Sequence, residues 1–147
     1  MERKIPPPVL FFACALLIYA LPRSADTNRI YLLFAVLLAI FGAAVALSAL
    51  FAFRQKRTTL SPRDLESTAA LVTHGIYRFS RNPMYLGLAC WLAAWALWFN
   101  AFFGLLVVWG FIAYLNRFQI QPEERILAAK FGETYREYQR NTPRWLW

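Results

Sequence analysis

Apolar residues occupy this chain in four long blocks, at about 5–21, 30–53, 84–99 and 101–116, with charged residues gathered between and after them. The first block, "IPPPVLFFACALLIYAL", follows Glu2-Arg3-Lys4 and has the outline of a signal peptide. It is read here as a retained helix, because the chain begins at Met1; it is short for a span and is expected to start near the interface. The second, "IYLLFAVLLAIFGAAVALSALFAF", carries no charge in 24 residues and is the clearest transmembrane helix. The third and fourth form one apolar stretch from Met84 to Leu115, interrupted by Asn100. As one helix that stretch would reach ~48 Å at 1.5 Å per residue, too long for a single crossing of a hydrocarbon core of about 30 Å. A hairpin turning near Asn100-Ala101-Phe102-Phe103-Gly104 solves this. The pattern predicts an all-α, multi-pass membrane domain with about four transmembrane helices.

Composition agrees: 59% of residues are hydrophobic and 18% aromatic, which excludes an ordinary soluble domain. A net charge of +8 raises nucleic acid as a partner, so the placement of the bases decides. With four spans, fourteen of the sixteen Lys and Arg fall on one side, leaving only Arg23 and Arg29 opposite. Positive residues favour the cytoplasmic side. Both termini and the two polar segments are therefore expected there, in a bacterial inner membrane. Orientation and anionic lipid account for the charge, and no nucleic-acid partner is needed. Cys14 and Cys90 lie inside apolar blocks and read as small buried hydrophobes, with no metal site. The six tryptophans read as interfacial or packing residues.

The hairpin brings Arg81-Asn82-Pro83 beside Asn116-Arg117-Phe118-Gln119, so that 71–85 and 117–138 become one neighbourhood. Asn82-Pro83 is a helix-start signal, Asn as the cap and Pro in the first turn. Gln121-Pro122-Glu123-Glu124 reads as a second start, with two carboxylates where the helix dipole favours them. Well-capped helices are a sufficient reading of both motifs. A ligand site is the alternative, since helix starts offer N–H groups to anions and Arg81 and Arg117 face Glu123 and Glu124, a mixture suited to a zwitterion. In "EERILAAKFGETYREYQ", Ile126, Leu127, Phe131, Tyr135 and Tyr138 fall roughly on one helical face, which predicts an amphipathic helix lying on the cytoplasmic surface and covering the site. His74, the single histidine, sits in the loop "LVTHGIY"; there a surface or hydrogen-bonding role and a catalytic one both stay open, and Gly75 suits a turn.

These residues carry a resemblance. "LVTHGIYRFSRNPMYLG", a hydrophobic hairpin and then "EERILAAKFGETYREYQRNTPRWL" resemble the isoprenylcysteine carboxyl methyltransferase and phospholipid N-methyltransferase superfamily of integral membrane enzymes, over roughly residues 58–146. The resemblance implies a single membrane domain, with two N-terminal helices in 1–57 and a cofactor-binding methyltransferase core in 58–147. It implies S-adenosyl-L-methionine as cofactor at the cytoplasmic face. Carried over by motif position, Leu71, Val72, Tyr77, Asn82, Pro83, Met84, Tyr85 and Glu123 fall where relatives contact the cofactor. His74, Arg81 and Glu124 belong to the same motifs, and Arg117 lies near an arginine implicated in substrate handling. Many members have histidine where this chain has Asn82, which cannot act as a base.

Methyl transfer from a sulfonium is an in-line displacement, so the protein has to align the acceptor and exclude water. A carboxylate acceptor needs no base. An amine or thiol must lose a proton, for which His74, Glu123, Glu124 or water are within reach, and the expectation is that no dedicated base exists. The implied substrate is lipophilic or amphipathic and enters from the bilayer. Two alternatives remain: an NADPH-dependent membrane reductase of the sterol-reductase type, and a non-catalytic membrane scaffold. Oligomeric state is not legible.

Overall fold

The computed structural model describes residues 5–24, 29–56 and 71–146, and among them the regular structure is helical throughout. Arg3, Lys4, Arg57, Arg63 and the boundary placed at 57/58 lie outside the described residues. Helix α1 (Pro7–Ala20) begins where proline suits a first turn and the Leu10 N–H closes onto the Pro6 carbonyl at 3.1 Å. It stops because Pro22 follows: Leu21 takes the extended conformation that a pre-proline residue prefers (φ −72°, ψ 153°). Helix α2 (Arg29–Lys56) is the one described helix long and apolar enough to cross a membrane.

Helices α3 (Pro83–Trp98) and α4 (Gly104–Leu115) form the expected hairpin. Asn100 turns it in the left-handed region (φ 53°), which asparagine tolerates better than most residues. The Asn100 carbonyl accepts the Ser24 N–H at 3.1 Å, tying the turn to the end of α1. From α4 the chain runs without a break through a π-helical segment (Asn116–Ile120) into α5 (Gln121–Asn141). The four apolar blocks are thus four helices. At 1.5 Å per residue α1 and α3 reach only about 21 and 24 Å, because Pro22 and the hairpin turn use residues that full spans would need.

The bundle is held by close backbone approach. A Cβ on Gly87 of α3 would lie 2.9 Å from the Gly42 carbonyl of α2 and 3.1 Å from the Ala46 Cβ, so only glycine lets the two helices meet. Indoles then staple α3 to both neighbours: Trp91 Nε1 donates to the Ala39 carbonyl (3.0 Å) and Trp95 Nε1 to that of Ala15 (3.1 Å). The main core gathers Ile18, Leu92, Ala96, Phe111, Leu115 and Ile120, and it includes Trp145 from beyond α5. Outside this core the apolar helices keep large hydrophobic side chains exposed: Phe102, Trp109, Phe12 and Leu16 are 76%, 72%, 70% and 70% exposed. Patches of that extent mark contact with an apolar surround.

Candidate functional site

The site is built where the loop before α3, the first turn of α5 and the segment after α5 converge. Val72 and Tyr77 of the loop are buried against Ala49 and Ala52 near the end of α2. Gly75 (φ +62°) bends the chain into a short 3₁₀ turn, Gly75–Arg78, in which the Tyr77 N–H meets the His74 carbonyl at 3.2 Å. The Tyr138 hydroxyl donates to the Tyr77 carbonyl at 2.7 Å, holding α5 over the loop. Burial pushes the Tyr77 and Tyr138 hydroxyls well above the usual tyrosine range, and the Tyr135 hydroxyl up to about 12, with the Glu124 charge adding to burial there. All three stay protonated donors at any physiological pH.

Two carboxylates sit at the centre. The Tyr85 hydroxyl, from the first turn of α3, donates to Glu123 Oε1 at 2.7 Å. Glu124 is clasped by two guanidiniums. Arg144 forks onto it through Nε (3.0 Å to Oε1) and Nη2 (2.6 Å to Oε2), and Arg81 Nη1 lies 2.8 Å from Oε1. The Glu124 and Arg81 side chains are only 12% and 11% exposed, so this pairing is shielded from water. The Arg81 contact is close but off-axis: Nη1 and Nε are both buried without a hydrogen-bond partner among the described residues.

The segment Thr142–Trp145 straps the cluster. Pro143 O accepts the Arg81 N–H (3.0 Å), and Arg144 O accepts Asn82 Nδ2 (3.1 Å) and the Ser80 hydroxyl (3.4 Å). Trp145 Nε1 donates to Asn116 Oδ1 at 3.0 Å. A cavity of about 380 Å³ opens beside Glu124, lined by Gln121, Arg125 and Ala128 and by Gln139 from beyond the bend in α5. A larger one, about 470 Å³, is wholly apolar, lined by Tyr31, Phe34, Leu37, Leu38 and Phe41 of α2 with Leu97 near the hairpin turn, away from the charged cluster.

Of the residues named from sequence, Val72, Tyr77, Arg81, Asn82, Pro83, Tyr85, Glu123 and Glu124 come together here. Leu71 and His74 flank them, half-buried, while Met84 is exposed on the first turn of α3. Arg117 also stands apart: it is exposed in the π-helical segment and joins none of the ion pairs at Glu124. Three local expectations are corrected. Asn82 holds the N-cap position, but its side chain caps nothing, because its amide is spent on the Arg144 carbonyl. Gln121-Pro122 is no fresh helix start: Ile120 is already helical (φ −66°, ψ −49°), so the first turn of α5 offers no free set of N–H groups to an anion. The apolar face foreseen over 126–138 is split by Gly132 (φ 55°, ψ −126°), which leaves Ile126 40% exposed while Tyr135 is 3% exposed. Ser80, Arg144 and Trp145 were not singled out. Their signal was faint, because a serine in the loop before α3 and an arginine and a tryptophan beyond a predicted surface helix look like ordinary loop and interfacial residues.

Residues 30–134 match the model of the phospholipid methyltransferase family. The chain belongs to that family. It is 30% identical to human protein-S-isoprenylcysteine O-methyltransferase over 112 residues, 74% of this chain and 38% of the human protein. To protein-S-isoprenylcysteine O-methyltransferase A of Arabidopsis thaliana it is 31% identical over 109 residues, 71% of this chain and 53% of the plant protein. An uncharacterized protein of Haemophilus influenzae is 46% identical over 63 residues, 43% of this chain and the whole of that protein. The chain thus spans between 38% and 53% of the length of the two methyltransferases, and no solved structure matches it. Phospholipid and isoprenylcysteine methyltransferases use S-adenosylmethionine. The cluster fits such a group chemically: a carboxylate among tyrosine rings suits a cation, and the buried Arg81 donors suit an acceptor such as an amino-acid carboxylate.

Proposed function

We propose that this protein is a multi-pass membrane methyltransferase that takes its methyl group from S-adenosylmethionine and passes it to a lipophilic or amphipathic acceptor reached from the bilayer. The observation that carries this reading is the convergence of Tyr85–Glu123 and Arg81–Glu124–Arg144 at one end of an otherwise apolar bundle. Helices α1, α3 and α4 cross beside α2. The shorter ones are accommodated by local thinning of the bilayer and by aromatic anchors at their ends. The charged cluster then faces the cytoplasm, with the excess of Lys and Arg.

When bound, the cofactor supplies an already activated methyl group, and the chain's own residues bind, orient and exclude water. Glu123, held by Tyr85, presents a carboxylate to a cation. Tyr77 and Tyr138, protonated and tied together, close the loop over it. Arg81 brings donors that a ligand carboxylate can take up. Asn82 moves no proton, and the acceptor's chemistry decides whether one must move. The exposure of Arg117 on the π-helical segment supports a role for it in meeting an approaching acceptor.

The acceptor is tested with the purified protein in vesicles carrying, in turn, a lipid amine, a prenylated-cysteine carboxylate and a lipophilic thiol, supplied with methyl-labelled S-adenosylmethionine. Label in the organic phase from one class, lost in Glu123→Gln, is the expected result. No label from any of the three, by protein that still binds S-adenosylhomocysteine, would contradict a lipophilic acceptor.

A further inference from the structure

Among the described residues, Arg144 ties the first turn of α5 to the threshold of α3. Its side chain forks onto Glu124 of α5 (3.0 and 2.6 Å), and its carbonyl takes the Asn82 amide (3.1 Å) and the Ser80 hydroxyl (3.4 Å) at the threshold of α3. Its neighbours extend the clasp, through Pro143 O to the Arg81 N–H and through Trp145 Nε1 to Asn116 Oδ1, and Trp145 is only 4% exposed. Helix α5 has no cap to fix its first turn, because it continues from a π-helical segment that is helical on both flanks. The backbone continues from the buried Gln119 and Ile120, and the planar fork on a shielded carboxylate adds the directionality that fixes the Glu124 side chain on that turn. Glu123 follows as the adjacent residue: where Glu124 is pinned decides whether Glu123 Oε1 meets the Tyr85 hydroxyl at 2.7 Å.

We propose that Arg144 is a positioning residue for the cofactor site, fixing Glu124 and through it the alignment of Glu123 with Tyr85, without itself touching the cofactor. The inference rests on the methyltransferase reading above.

Calorimetric titration of the detergent-purified full chain with S-adenosylhomocysteine tests it, in wild type, Arg144→Gln, Arg144→Lys and Arg140→Gln. Arg144→Gln is expected to raise Kd at least about tenfold at unchanged stoichiometry, the loss of a fork of two charge-assisted hydrogen bonds. Arg144→Lys, which keeps the charge and loses the fork, recovers part of the affinity. Arg140→Gln binds as wild type, because Arg140 is 64% exposed and pairs with an exposed Glu133. A wild-type Kd in Arg144→Gln overturns the proposal. So does a fall in stoichiometry at constant Kd, which is what a merely structural role would give. If Arg144→Gln does not fold, Arg144→Lys carries the test: a Kd raised severalfold supports the proposal and a wild-type Kd overturns it. Failure of the wild type itself to bind is a separate result, and it removes the methyltransferase reading together with this inference.

Discussion

At the scale of single residues, the site depends on short polar contacts made where little water reaches. The Tyr85 hydroxyl is the clearest case: 2.7 Å from Glu123 Oε1, on a side chain 9% exposed. Tyr85→Phe keeps the ring and its packing and removes that donor from Glu123. The expected cost is roughly 1.5–3 kcal/mol of stability, the range for a hydrogen bond to a charged group, read as a lower unfolding midpoint in detergent. An unchanged midpoint would mean that the Glu123 carboxylate does not depend on this bond. Arg81, Glu123 and Glu124 were legible from sequence because their motifs place charge at a membrane threshold, and Tyr85 entered only through the family resemblance. Arg144 was not, since an arginine beyond a surface helix gives no sign that its partner lies 20 residues back. Asn82 was legible as a position and misread as an interaction: its amide serves the Arg144 carbonyl, in an irregular segment beyond α5 that no local pattern reveals.

Among the elements, the contact of α2 with α3 sets the frame on which the site is mounted, since α2 packs the loop through Ala49 and Ala52 while α3 carries Tyr85. The frame depends on Gly42 and Gly87 facing each other, with a Cβ on Gly42 placed 2.7 Å from Trp91 Cδ1 and 3.0 Å from the Gly87 carbonyl. Gly87→Leu is expected to force the helices apart at a cost of about 1–3 kcal/mol, the usual range for overpacking, with a matching fall in the detergent unfolding midpoint. Gly110→Leu on α4 should leave the midpoint near wild type, because nothing lies within 4 Å of a Cβ built there. Equal behaviour of the two variants would show that the close approach is not what holds the bundle. The apolar blocks foretold the helices to within a few residues, since block length and turn signals are local. Continuity from α4 into α5 was not foretold: Gln121-Pro122 reads as a start, and only the packing of Gln119 and Ile120 in the bundle carries the helix through it. The bend at Gly132 escaped for the same reason, a lone glycine being compatible with a straight helix.

For the whole molecule, an apolar bundle with polar chemistry at one end suits an enzyme that meets a water-borne cofactor and a bilayer-borne acceptor at the same place. Family membership follows from the match over residues 30–134, and the paired motifs that carried the resemblance are the ones the fold brings together. The apolar cavity of about 470 Å³ lies among α2 residues, away from the charged cluster. The central claim is that this end of the bundle holds the methyl donor. Its most direct test is calorimetric titration of the detergent-purified protein with S-adenosylhomocysteine, beside Glu123→Gln and beside NADPH. The account predicts saturable binding near one equivalent, abolished or strongly weakened in Glu123→Gln, and no NADPH signal. A folded wild-type protein that ignores S-adenosylhomocysteine, or that takes NADPH instead, would contradict it.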